Sequence, residues 1–175
     1  MPAMLRLGLA APLLLALASC GGGDGEFAPA CPGASIVRDG GDLRRYRGPG
    51  QDLTDLVLEA RITGFKGRCG RADAGAVLAT VAVGIELTRG PAARGRITEI
   101  SYFVAVSQGE RILDKRVFSV GAEFPSNTER VRLTGDEVEL RLPTPAGTDA
   151  SAYRIQVGLQ LTPEELEANR RRAAR

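Results

Sequence analysis

The residues with the most reactive side chains in this chain are three cysteines, Cys20, Cys31 and Cys69. A cysteine thiolate can act as a nucleophile or a metal ligand, and two thiols can join as a disulfide. The chain has no histidine, so the most common general base and the most common metal ligand of proteins are both missing. A Ser-His-Asp triad is therefore excluded. We predict no enzyme activity, no metal site and no cofactor.

The first of these cysteines follows an apolar segment at the start of the chain. Residues 7–17 are almost all apolar and come after a single basic residue, Arg6. This run is shorter than the about 20 apolar residues that a membrane-spanning helix needs, but it has the length of the apolar core of an export signal. We therefore predict a signal peptide over residues 1–19 and exclude it from the folded domain.

The four residues at the end of this segment resemble the lipobox of bacterial lipoproteins: Leu17, Ala18, Ser19 and Cys20. In that family the cysteine becomes the lipidated first residue of the mature chain, so the resemblance implies that Cys20 is the lipid attachment point. It also implies three acyl chains, and stable anchoring needs more than one. Gly21 follows the cysteine, as in lipoproteins sorted to the outer membrane. The alternative is an ordinary secretory signal with a chance cysteine.

The two other cysteines form an even pair in a compartment that favours disulfides. We predict a bond between Cys31 and Cys69, which ties the start of the domain to a loop over residues 64–75. A metal site is the alternative, but two cysteines without histidine are a poor set of ligands. Residues 20–30 are rich in glycine and poor in apolar side chains, which predicts a flexible tether.

From residue 35 onwards the apolar residues recur at every second position, which is the period of a β-strand. Turn-forming Gly, Pro, Asn and Asp residues separate these runs. The pattern predicts an antiparallel two-layer sandwich over residues 31–162, immunoglobulin-like and with about seven strands. A small barrel is the alternative. The alternation breaks phase near residues 114–116, which predicts a β-bulge or a strand that switches sheets, and it leaves Phe103 on the outer face. The runs cover residues 35–38, 55–62, 76–87, 97–106, 117–124, 137–142 and 153–161.

The last part of the chain has the pattern of a helix. Thr162 and Glu165 have the spacing of a capping box, and Pro163 occupies the first helical position. We predict a helix with a basic tail over residues 163–175. Its arginines could contact phosphate groups of an anionic partner, and the alternative is a solvated helix end. These arginines are Arg170, Arg171, Arg172 and Arg175.

The charge balance of the chain bears on its partners. The formal net charge is +2 over 175 residues, whereas domains that bind nucleic acids usually carry a strongly basic face. We therefore predict no nucleic-acid partner.

Four stretches of the domain are similar, as a set, to a group of small lipoproteins of Gram-negative proteobacteria. These are RGPGQDLTDL at 47–56, RGPAARG at 89–95, YFVAV at 102–106 and LTPEELEANRR at 161–171. The similarity covers residues 31–172. It implies an exported, membrane-tethered, β-rich domain, and it supplies no catalytic residues.

Together these features predict a lipid-anchored protein on the periplasmic face of the outer membrane. We expect a structural or assembly factor of the envelope that acts by contact with another envelope protein. The alternative is a binding module for an envelope glycan or lipid. A contact protein should expose an apolar surface or a strand edge, whereas a ligand-binding protein should have a pocket with convergent polar groups.

Overall fold

A computed structural model describes residues 30–73, 75–146 and 149–174. This part of the chain forms nine strands, two short 3-10 turns and one C-terminal α-helix. The strands are β1 (Gly33–Ile36), β2 (Asp42–Tyr46), β3 (Leu56–Ala72), β4 (Ala76–Arg89), β5 (Ile97–Gln108), β6 (Arg111–Glu123), β7 (Arg130–Thr134), β8 (Val138–Pro143) and β9 (Tyr153–Leu159). The helix is α1 (Pro163–Ala173).

The strands form two separate sheets, so the predicted two-layer sandwich is confirmed. One sheet has the order β1-β9-β5-β6. The other has the order β2-β3-β4, with β7 and β8 both paired to β4, one after the other along its length. Two details differ from the immunoglobulin arrangement that we expected. The last two strands, β8 and β9, lie in different sheets, whereas the immunoglobulin fold keeps them in one, and β1 pairs with β9 in parallel although we expected antiparallel sheets.

The core lies between the sheets and is built by alternate residues of the long strands. In β4 the inward side chains of Val83, Ile85 and Leu87 are completely buried. Opposite them, the side chains of Val104 and Val157 come from β5 and β9 and are equally buried. Burial of such side chains is the dominant favourable contribution to folding. The period-two pattern of the sequence therefore marks the residues that hold the layers together.

The segment 64–75, which we predicted as a loop, is mostly strand. β3 continues to Ala72 and pairs with β4 along its whole length. The pairing register shifts between Ile62 and Gly64, and Gly64 has a φ of 152°, a conformation that glycine adopts readily. This bulge reverses the alternation, so Cys69 faces the core although it is out of phase with Ile62. The prediction of a loop was wrong because the bulge shifts the alternation of inward residues, so the sequence of this segment does not continue the period of two seen before it.

The predicted bulge near residues 114–116 is confirmed in β6. Val106 pairs with Asp114, but the next residue, Ser107, pairs with Ile112. Leu113 is therefore the extra residue of β6. The change of phase in the sequence directly reflects this insertion.

The predicted C-terminal helix and its capping box are also confirmed. The Thr162 Oγ1 accepts a hydrogen bond from the Glu165 N–H at 3.2 Å, and the Glu165 carboxylate accepts one from the Thr162 N–H at 2.8 Å. The helix is fixed to the domain through Asn169, whose Nδ2 donates to the carbonyls of Asp39 at 2.7 Å and Asp42 at 2.6 Å. Helix α1 therefore covers the outer side of β2.

Candidate functional site

Three of the four outer edges of the two sheets are short, covered or interrupted. β2 lies under α1, and Arg45 on β2 forms an ion pair with Glu165 on the helix at 3.1 Å. β1 has only four residues. β7 and β8 are separated by a break at residues 135–137, and Arg116 donates a hydrogen bond to the Glu139 carbonyl of β8 at 3.1 Å. These are common ways to prevent unwanted pairing at a sheet edge.

The remaining outer strand, β6, is long and open. It has 13 residues and, within the described chain, pairs with β5 only. The side chains of Ile112, Leu113 and Val117 are 62%, 43% and 53% exposed, and Ile97 on the adjoining β5 is 80% exposed. An open edge with apolar side chains is a surface on which another strand can pair.

The two halves of β6 differ in how this edge is protected. Its first half contains the bulge at Leu113, and the neighbouring Asp114 and Arg116 occupy inward positions and form an ion pair at 2.9 Å. A bulge and inward charges both discourage strand addition. The rest of the strand, residues 115–123, pairs regularly with β5, has neither a bulge nor a proline, and carries one inward charge, Arg116. We call residues 115–123 the β6 edge.

The direction of the backbone groups follows from the pairing on the other side of β5. The Ser101 carbonyl accepts a hydrogen bond from the Gln160 N–H at 2.8 Å, so the backbone groups of Ser101 point away from β6. Ser119 lies opposite Ser101, and in such a pair the backbone groups of Ser119 point away from β5 as well. Every second residue shares this direction. The N–H and C=O groups of residues 115, 117, 119, 121 and 123 therefore point outward from the β6 edge.

Phe103, which we placed on the outer face, is covered by its neighbours on that face. The Lys115 ammonium lies 4.4 Å from the centre of the Phe103 ring, within the range of a cation–π contact. On the other side, a Cβ at Gly158 would come within 2.7 Å of the ring, so the ring occupies the space above this glycine. Phe103 thus packs across three strands, and it holds Lys115 on the outer face of the sheet.

Below the β6 edge, Tyr102 is almost completely buried and stacks on Phe118 of β6 with ring centres 5.4 Å apart. Burial raises the pKa of the Tyr102 hydroxyl above its usual range, and the nearby charge of Asp136 adds to this effect. A Cβ at Gly135 would overlap with the hydroxyl. The ring of Tyr102 therefore lies on the inner side of its sheet, between Phe118 of β6 and Gly135, the residue that follows β7.

The predicted disulfide between Cys31 and Cys69 is present, with the two Cα atoms 5.9 Å apart. Cys31 lies two residues before β1, and Cys69 is in β3. These strands belong to different sheets, so the bond links the two layers. Cys20, the predicted lipid attachment point, lies outside the described residues.

A cavity of about 490 Å³ lies beneath α1 beside β2. Most of its charged side chains already have partners: Arg61 pairs with Asp42 at 2.7 Å, Arg44 pairs with Glu59 at 3.1 Å, and Arg172 donates to the Asn169 side chain. Within the described residues, no group of three or more carboxylates and thiols could hold a metal ion. Few polar groups of this cavity are therefore available to converge on a ligand.

The predicted anionic contact involves the last turn of α1. Arg170 and Arg171 both lie near Glu167, at 3.8 Å and 3.7 Å, and Arg172 contacts Asn169 as described above. Arg175 lies outside the described residues. The first two arginines are well exposed, and such surface pairs bind weakly, so contact with an anionic partner stays a prediction.

The residues of the β6 edge were not singled out from the sequence. The signal that could have found them is the presence of Asp114 and Arg116 in phase with the apolar residues Phe118 and Val120, because inward charges are typical of an outer strand. The same break in phase also predicts a bulge, and that reading alone does not identify an outer strand.

No helix in the described part of the chain has the length and hydrophobicity to span a membrane. The chain matches no protein-family model, no curated protein and no solved structure. The β6 edge is therefore the feature of the described chain on which a function can be proposed.

Proposed function

We propose that this protein is a lipid-anchored structural or assembly factor of the bacterial envelope that binds another protein through the β6 edge. The observation that carries this proposal is the length and regularity of that edge, given that the other outer strands are short, covered or interrupted. A natural protein rarely leaves a long strand edge unprotected unless the edge is used.

Binding at such an edge follows the physics of sheet formation. An extended segment of the partner adds as a further strand, and main-chain hydrogen bonds supply much of the affinity. Side chains of alternate residues add specificity. On the outer face of the β6 edge these are Lys115, Val117, Ser119 and Glu123, all of them exposed. Val117 is the apolar side chain on this face, and Lys115 and Glu123 carry opposite charges at the two ends of the edge. A partner segment must match these three positions, which favours a single register.

The anchor is the second part of the proposal. Cys20 is the proposed lipid attachment point, residues 20–30 the tether, and the periplasmic face of the outer membrane the location. The disulfide between Cys31 and Cys69 supports export, because disulfides are typical of oxidising compartments outside the cytosol. Anchoring at a membrane confines the domain to the surface where its partner is assembled.

Crosslinking in living cells tests the contact. The anchored protein is crosslinked and purified, and the captured proteins are identified by mass spectrometry. In one variant, Ser119→Pro, the edge loses an outward N–H and gains a ring, while the ladder to β5 does not use that N–H. The matched control is Ser119→Ala, which loses the same hydroxyl but keeps the N–H.

We expect the wild type and Ser119→Ala to capture the same dominant partner, and Ser119→Pro to lose it. Far-UV circular dichroism must show that all three proteins are folded. Equal capture by the proline variant would mean that β6 is not the contact surface. Capture of abundant envelope material alone would instead favour a module that binds glycans or lipids.

A further inference from the structure

We propose that the partner strand at the β6 edge is β6 of a second copy of this chain, paired antiparallel about a two-fold axis at Ser119. This inference rests on the proposed function because it names the occupant of the same edge. Two features support it. The outward backbone groups of the β6 edge are arranged symmetrically about Ser119, and the side chains on its outer face are complementary to those of a second copy.

The backbone selects the register. Five residues of the edge direct their N–H and C=O groups outward, and Ser119 is the middle one. An antiparallel pair of identical strands centred on Ser119 therefore matches all five with their counterparts, giving about ten hydrogen bonds between the copies. Any other symmetric register pairs fewer residues, because the bulge at Leu113 ends the regular strand on one side, and on the other side β6 ends at Glu123 and is followed by Pro125, which has no N–H to donate.

The side chains fit the same register. It places Lys115 of each copy opposite Glu123 of the other, so two pairs of opposite charge form symmetrically. It also places Val117, which is 53% exposed, opposite Gly121, whose missing side chain leaves room for it. Opposite charges and apolar contacts between directly facing residues stabilise strand pairs, whereas like charges disfavour them.

Both charged side chains are already held on the correct side of the sheet. Lys115 lies against the Phe103 ring, and Glu123 accepts a hydrogen bond from Arg96 at 3.0 Å. A carboxylate has enough acceptor sites for a second donor, so Glu123 can bind Lys115 of the other copy without releasing Arg96. In the dimer the exposed Lys115 side chain turns from the Phe103 ring towards the other copy, and Glu123 stays in place.

The resulting assembly is closed. Each copy contributes the sheet β1-β9-β5-β6, and pairing of the two β6 strands produces one continuous sheet of eight strands. A two-fold contact uses the same surface on both copies, so no further copy can add at that edge. The open edge of each copy is thereby removed.

Disulfide trapping of the anchored, full-length protein in cells tests this register. In the variant Ser119→Cys the two introduced thiols face each other across the axis, with Cα atoms about 5.5 Å apart, a separation at which disulfides form. The matched control is Val117→Cys, on the same strand and the same face. Its two Cα atoms would be about 14 Å apart, since they are offset by four residues along the strands and lie on neighbouring strands. The wild type controls for crosslinks through Cys20.

We expect a covalent dimer of Ser119→Cys on non-reducing electrophoresis, and no dimer of Val117→Cys or the wild type. Equal crosslinking of the two variants would overturn the register. No dimer of Ser119→Cys would overturn the pairing of two copies. If Ser119→Pro still abolished capture of a different protein in that case, the proposed function would survive; if it had no effect, both proposals would fail.

A second set of variants covers the case in which Ser119→Cys is misfolded. The single changes Lys115→Glu and Glu123→Lys each place like charges opposite one another, so each purified protein should be a monomer by light scattering. Mixing the two should restore a dimer, because every facing pair is then of opposite charge. A mixture that stays monomeric while the wild type is a dimer would contradict the assigned register, and a monomeric wild type would contradict the dimer itself.

Discussion

Removal of the disulfide should lower the free energy of unfolding by an amount that follows from the length of the loop that the bond closes. The bond joins residues 38 positions apart, and the loop-entropy relation for a loop of that length gives a stabilisation of about 4 kcal/mol at 25 °C. In the native state the loss is small, since β1 has four exposed residues and keeps its pairing with β9. We therefore expect the variant Cys31→Ala/Cys69→Ala to fold and to be less stable by about this amount.

Equilibrium unfolding in urea measures this difference. The chain has no tryptophan, so far-UV circular dichroism is the suitable signal. With a urea dependence of about 2 kcal/mol/M for a domain of this size, the midpoint should fall by about 2 M. Wild type treated with a reductant is the control and should unfold together with the variant. A midpoint shift below about 0.5 M with an unchanged slope would refute the reasoning, because the bond would then constrain only a strand that is already frayed in the folded protein.

Three further predictions concern the anchor, a close backbone contact and a buried phenol. Cys20→Ala should move the protein from the membrane fraction to the soluble periplasm, and its retention in the membrane would contradict a lipid anchor at this residue. Gly90→Ala should lower the free energy of unfolding by about 2 kcal/mol, measured by urea unfolding, because a Cβ there would overlap with the Leu56 carbonyl. The pKa of Tyr102 is raised by burial and by a nearby carboxylate, so its contribution to stability is present below about pH 10 and is lost as the pH rises through the folded-state pKa. The loss of stability at alkaline pH should be smaller in Tyr102→Phe, and equal pH profiles of the two proteins would contradict this assignment.

The parts of the fold that depend on neighbours in sequence were predictable. The alternation in β4 is uninterrupted, so its buried residues follow directly from a period of two. The capping box of α1 depends on Thr162 and Glu165 alone. The pairing of Cys31 with Cys69 followed from the count of cysteines together with the predicted export.

The parts that depend on distant strands were not predictable in the same way. The bulge at Gly64 shifts the inward positions of β3, and a sequence that changes phase next to several glycines resembles a loop. The candidate site was missed for a related reason. Whether β6 has a neighbour is decided by the order of strands in the sheet, and residues 115–123 do not encode that order. Only the inward charges of Asp114 and Arg116 indicated an outer strand.

The parallel pairing of β1 with β9 has a consequence for the order in which the chain acquires its structure. Gly33 lies beside Arg154, about 120 residues further along, and contacts between such distant segments form slowly. In the proposed export the chain emerges with its N-terminus first, so β1 would leave the translocation channel long before the strand that it pairs with. The meander of β2, β3 and β4 needs only adjacent segments and can form in the meantime. The bond from Cys31 to β3 can also close before β9 arrives, and it would then keep the first strand beside the domain until the last one completes the sheet.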